Sequence, residues 1–515
     1  MKRVFAMLLA VTMLAAGCGR KDEAGSGAAS LVPANALAFV SVSLDPANDQ
    51  KRNLQGVLAK FPELDSEEEF SGQVDALLTG LFEGSGLAYA EDIKAWLGKE
   101  VAFVVLPPKD QGEGAEPLLA LLIETTDTEA AQAALDKGAR EGEFESGDYK
   151  IVGNHVVFLG QDRTADRAAA LAAIESQAAG DKAPLAETDA FRNVVDKVHS
   201  PRLALGWWNA EATFGLLGES FAIPGFDQII EDAEGQGGGG NFAFALYAEP
   251  DQLALEGVTD ATGKASEFSG VPRLTRGLPA DTLGAITAFG VGSQVSEGLR
   301  GVAETDADVA QEIKGFLDQM KLATGLDLEQ DVLSWMNGEA VIAAGKVGPL
   351  GIPDIGILVE PTDRAKAEAG FLKIKDAAER TLGVPLATGD LEGTTSYAIP
   401  EAIEEGLQPA MGLLADRFIL ASSPEYLKTL ARSASPGFGG TSEYREIAGS
   451  GDEPVSAQVV VRLAAVREAI VAALPPDAKA TYEAEVRPWV EPLRTLLMRA
   501  FPDDGGKFEM RITTD

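Results

Sequence analysis

The chain has 515 residues, with 43 Lys and Arg against 80 Asp and Glu, and a formal net charge of −37 at pH 7. One cysteine and two histidines exclude a Cys/His zinc cluster, a disulfide framework and any site built from several imidazoles. Such acidity leaves no basic face for phosphate backbones, so nucleic acid is not an expected partner, while 45% hydrophobic residues is an ordinary globular content.

Lys2 and Arg3 form a short basic start, and residues 4–16 are an apolar run interrupted only by Thr12. A permanent bilayer span needs roughly 20 apolar residues, so this run has the layout of a secretory signal peptide. It closes on Leu14-Ala15-Ala16-Gly17-Cys18, which resembles a bacterial lipoprotein lipobox. One departure is visible, since Ala15 stands where leucine is usual and Leu14 comes one place early. The resemblance implies cleavage between Gly17 and Cys18 and acylation of Cys18, with residues 1–17 removed. Residues 18–30 are rich in Gly, Ala and Ser after a charged start, as in a flexible tether. Several acyl chains, at about 0.8 kcal/mol per buried methylene, would hold the chain on a lipid bilayer. The expected location is therefore the bacterial cell envelope. Aspartate does not follow Cys18, which in a Gram-negative host favours the outer membrane over the inner.

Two parts of the chain then read alike. Leu31-Val32-Pro33-Ala34 opens a strand-like run over 38–44, and Leu278-Pro279-Ala280-Asp281 opens another over 284–290. Asp92, Trp96 and Glu100 recur with the same spacing as Asp331, Trp335 and Glu339. Gly98 falls opposite Asn337, which suggests a left-handed helix end at both places. Glu124-Thr125-Thr126-Asp127 is mirrored by Glu360-Pro361-Thr362-Asp363, each a strand feeding a helix through a Thr-Asp cap. The segments ending Thr259-Asp260 and Thr514-Asp515 close the two parts with hairpins. The expectation is a tandem repeat, 31–262 and 278–515, joined by a linker at 263–277. Apolar runs at 118–124 and 455–462, and helical spacing at 307–323 and 364–382, give α+β halves, each an antiparallel-rich sheet covered by helices.

The Leu-Pro-Ala-type opening and the Asp-x-x-x-Trp-Leu-Gly block at residues 92–98 resemble a bacterial envelope family known only as a domain of unknown function. That resemblance implies a compartment and a fold and supplies no chemistry.

Catalytic material is sparse. His155 follows a Gly153-Asn154 turn in an apparent strand, and His199 ends a helix-like run over 191–198, with no Gly-x-Ser-x-Gly elbow to serve either. Trp207, Trp208 and Glu211 are the binding candidates, as rings for a sugar with a nearby carboxylic acid. Glu211 also suits the first turn of a helix capped by Asn209. Asp327, Glu329 and Asp331 alternate as calcium ligands do, but Val332 occupies the position where such a loop needs glycine. Asp503-Asp504-Gly505-Gly506 reads as a hairpin turn and Glu67-Glu68-Glu69 as a solvated helix face. No cofactor or resident metal is expected. The function expected is a membrane-anchored binding or scaffolding role, with cationic envelope proteins or divalent cations as partners of the acidic surface. The alternatives are a carrier holding an apolar ligand between sheet and helices, and more remotely an acid–base hydrolase using Glu211.

Overall fold

A computed structural model describes residues 27–62, 64, 72, 79, 88–108, 117–141, 149–159, 164–210, 212, 240–260, 268–305, 307–348, 351–403, 407–432, 437–502 and 506–515. They form α+β structure in two compact units, one drawn from 1–265, 503–509 and 514–515, the other from 266–502 and 510–513.

In the first unit the strands are β1 (Ala38–Ser43), β2 (Leu97–Leu106), β3 (Leu118–Thr125), β4 (Tyr149–Val152), β5 (His155–Leu159), β6 (Ala204–Asn209), β7 (Asn241–Glu249) and β8 (Gln252–Thr259). All pair antiparallel, in the order β4-β5-β3-β2-β1-β6-β7-β8. The helices are α1 (Asn48–Leu58), α2 (Thr128–Glu141), α3 (Thr164–Ala178) and α4 (Asp189–Val195). Strand alternation sends Phe39, Val104, Leu122 and Trp207 to one face, under Phe191 and Val194 of α4. Val42, Val101 and Ile123 pack on the other with Trp96 and Leu135 of α2. Asp127 caps α2, its Oδ1 accepting from Glu129 N and Ala130 N, both at 3.0 Å.

In the second unit the strands are β9 (Gly284–Phe289), β10 (Glu339–Val347), β11 (Pro353–Val359), β12 (Ala387–Leu391), β13 (Thr394–Ala398), β14 (Ala410–Leu413), β15 (Phe418–Ala421), β16 (Ala457–Arg462) and β17 (Leu493–Ala500). Their antiparallel order is β12-β13-β14-β15-β11-β10-β9-β16-β17. The helices continue as α5 (Arg273–Arg276), α6 (Val291–Thr305), α7 (Ala307–Thr324), α8 (Arg364–Leu382), α9 (Pro424–Ala431), α10 (Ser442–Ala448), α11 (Leu463–Ala473), α12 (Pro476–Thr481) and α13 (Arg487–Val490). Asp363 caps α8 through Lys366 N at 3.0 Å, and Gly383, at φ 70°, ends it. Val341, Leu358 and Val460 meet Leu427, Leu430 and Ile447 in the main core. Trp335, Phe371 and Phe418 form a second cluster.

Three local readings change. Neither Gly98 nor Asn337 has positive φ. Gly98 is required by close approach instead, because a Cβ there would lie 2.7 Å from the Glu124 side chain, while Asn337 Oδ1 accepts from Ser293 N at 2.8 Å. Ala28 and Ala29 are fully buried, with Ala28 N donating to Glu100 Oε2 at 2.9 Å, so packed structure begins inside the segment read as tether. Residues 268–277 are packed too, since Leu274 N and Thr275 N donate to Glu339 at 2.7 and 2.9 Å.

Candidate apolar binding groove

One sheet face of the second unit is apolar and incompletely covered. Register places Gly284 beside Ala344 and Val461, and Ile286 beside Ile342 and Val459, while Ala344 faces Ile355 on β11. Four adjacent strands thus offer a continuous hydrocarbon surface, made by period-two alternation in four separate stretches of sequence. Helix α11 crosses above it. Its Val466, Ala469, Ile470 and Ala473 have the i, i+3, i+4, i+7 spacing of one helical face and all line the gap. The cavity between helix and sheet holds about 500 Å³, and among the described residues no polar side chain lines it. That volume lies within the range of roughly 300–1,000 Å³ typical of small-molecule sites.

The cover is loose. None of the residues of α11 is buried, and Ile286, Ile342 and Ile470 remain 52%, 48% and 51% exposed. Helix α11 opens an arm that continues through α12, a wide turn at Tyr482–Val486 and α13, none of which buries a residue. The arm returns to β17, the direct partner of β16, with Arg462 opposite Thr495. Arg467 ties its two ends together, donating from Nη1 to Val490 O at 2.7 Å and Leu493 O at 3.3 Å. Arg487 clasps Glu483 and Glu491 at 2.7 and 3.1 Å on the return leg.

Charge is kept to the other face and the rim. Glu339 is 1% exposed, and burial raises its pKa against the opposing pull of the Thr275 and Leu274 N–H groups and the Thr275 hydroxyl. At the end of β16, Arg462 Nη2 meets Glu443 at 2.8 Å. Burial opposes ionisation of Glu443, but its own backbone N–H, the Ser442 hydroxyl and Arg462 prevail and bring its pKa down to about 2.

The candidates named from sequence lie elsewhere. Trp207 is 2% exposed, 5.9 Å from the Phe191 ring, with Nε1 donating to Ala190 O at 3.3 Å. Trp208 is partly exposed and stacks on Phe242 at 4.2 Å. Phe242 stacks in turn on Phe508 at 5.5 Å, and Phe244 and Phe508 lie against Gly206 and Gly257, which have no Cβ to block them. These rings are therefore partnered by one another. Glu211, Gly17, Cys18 and the run Glu67 to Glu69 fall outside the described residues, as do Asp503 to Gly505 and most of the glycine run at 237–240. Helix α4 ends before His199, which stacks on Tyr247 at 3.8 Å. Asp331 and Asp92 are paired with Lys373 at 2.7 Å and Lys137 at 2.8 Å, and Asp327 with Lys321 at 2.7 Å. Among the described residues no helix is long and apolar enough to cross a membrane.

The groove escaped the sequence reading because its walls come from strands far apart in the chain. The available signal was α11 itself, an apolar-faced helix followed by Pro475-Pro476 between two strands. No curated protein and no solved structure matches the chain. The profile that does match covers residues 4–505, and by it the chain belongs to the family described as protein of unknown function (DUF3352).

Proposed function

We propose that this is a lipid-anchored bacterial envelope protein whose second unit binds an apolar ligand in the groove beneath α11. The observation that carries the binding reading is the all-apolar lining of a cavity of about 500 Å³ whose helical cover buries none of its own residues. Unfilled apolar surface of this kind gains free energy from any hydrocarbon that displaces water, about 25 cal/mol per Å². The anchor rests on the signal-like start and on Cys18 as lipid acceptor, and the outer membrane is favoured by the absence of Asp after Cys18.

A tandem duplication is part of the same proposal. Its support is that β5-β3-β2-β1-β6-β7 and β15-β11-β10-β9-β16-β17 have one order. Trp96 and Trp335 each donate from Nε1 to the backbone of the matching aspartate, Asp92 or Asp331. Glu100 and Glu339 each receive a backbone N–H from the segment leading into the unit.

Titration of the full chain with cis-parinaric acid, a fluorescent fatty acid, tests the groove. Saturable binding is expected in the wild type, with loss of at least about tenfold in affinity in Ile342→Asp, which places a carboxylate against hydrocarbon. Equal affinity in both proteins would contradict the reading. A scaffolding role has its own observation, the exposed Phe316 and Leu322 on α7. It predicts a cross-linked envelope protein that Phe316→Glu releases.

A further inference from the structure

We propose that the ligand is a single acyl chain of a membrane-derived amphiphile, and that it is taken up sideways by lifting of the arm over residues 463–492; the inference rests on the groove reading above. Three observations converge on it. The first is shape. The lining crosses four strands, β16, β9, β10 and β11, whose outer axes lie roughly 14 Å apart at 4.7–4.9 Å per step. Helix α11, with 11 residues, is about 16 Å long at 1.5 Å per residue. The lined surface is therefore about as long as one extended acyl chain.

The second is chemistry. With no polar side chain in the lining among the described residues, a ligand gains nothing inside from a charged or hydroxylated group and loses its hydration, so such a group stays in solvent. A hydrocarbon tail with its headgroup outside satisfies this, whereas a sugar, peptide or nucleotide does not. Lys346, exposed and next in sequence to the lining residue Val347 on β10, is a cation available to an anionic headgroup.

The third is connectivity. Adjacent antiparallel strands are commonly joined by two-residue turns, yet β16 and β17 are joined by an arm whose helices bury no residue. A segment with so few buried contacts opens at low cost in free energy. Arg467, bonded to Val490 O and Leu493 O, holds its first helix to its last turn and acts as the latch.

A disulfide staple tests the gate. A Cβ built at Gly351, whose φ is 77°, would lie 3.0 Å from that of Ala473 at the far end of α11, so a bridge spanning roughly 3.8 Å needs a small outward shift of the helix end. In a full-length Cys18→Ser background, Gly351→Cys with Ala473→Cys supplies the only two thiols. Association of cis-parinaric acid is expected to slow by at least about tenfold when the pair is oxidised and to recover on reduction. Arg467→Met, which keeps the aliphatic stem and loses both latch bonds, is expected to speed association. Unchanged association rates in the oxidised staple and in Arg467→Met would overturn the gate while leaving the groove standing. Absence of saturable binding in the unstapled chain would overturn both. Equal affinity of the unstapled chain for short-chain and long-chain fatty acids would overturn the single-chain assignment.

Discussion

His155 occupies the first position of β5, between Glu124 on β3 and Val152 on β4, and is 3% exposed. Among the described residues neither of its ring nitrogens has a hydrogen-bond partner. Burial lowers its pKa, which Glu124 only partly offsets. The folded protein then binds fewer protons here than the unfolded chain. Stability accordingly declines as pH falls from the ordinary histidine value near 6.5 toward the lowered one, by at most about 1.4 kcal/mol per pH unit. His155→Leu is expected to flatten that decline in urea unfolding followed between pH 7 and 5; an unaltered slope would show that another group causes it. Glu443 acts in a separate window. Its depressed pKa gives stability that is present above the unfolded carboxylate value and is lost as pH falls toward about 2. The Glu443–Arg462 pair is only partly solvated, so Glu443→Gln should cost about 1–3 kcal/mol at neutral pH, measured in the same way. At this scale much was legible. Asp127 and Asp363 cap their helices because a Thr-Asp step between an apolar run and a helical pattern has few other uses. Gly98 was recognised for the wrong reason, since the neighbour that excludes a side chain is Glu124, on another strand.

Among the elements, the arm over 463–492 differs most from its surroundings. The strands beneath it are held on both sides, β9 by β10 and β16 and β10 by β9 and β11, whereas α11 rests on one face with no buried residue. Replacing residues 464–493 by an Asn-Gly turn leaves residue 463 opposite residue 494, in register with Arg462 opposite Thr495, and matches the loop that antiparallel neighbours ordinarily use. Thermal unfolding of the second unit should then fall by less than roughly 5 °C, as expected for loss of about 1 kcal/mol in a unit of this size. Loss of cooperative unfolding would mean that the arm is core. Helix existence was readable here, because α8 carries both its Asp363 cap and its Gly383 stop in sequence. The groove was not, because its apolar positions become one surface only when four strands pair in a particular register.

For the molecule as a whole, the chain end contributes Phe508 and Thr514 to the first unit. Phe508 stacks on Phe242 over the bare backbone of Gly257, and Lys60 Nζ reaches Asp251 Oδ1 at 2.5 Å and Thr514 O at 3.2 Å. Truncation after Pro502 is therefore expected to lower the unfolding temperature of the first unit, read by differential scanning calorimetry. Lys60→Met, which removes only the charge-assisted contacts, should have a smaller effect. Anchoring is tested separately, since Cys18→Ala should move the protein out of the membrane fraction. The measurement that bears most directly on the proposed function is native mass spectrometry of the full chain, released from the envelope in mild detergent, beside Ile342→Asp. Ligand binding in the groove predicts extra mass that is lost on denaturation and absent from Ile342→Asp, whereas mass on an acylated Cys18 persists. A wild-type chain without dissociable mass, or the same mass retained by Ile342→Asp, would contradict it.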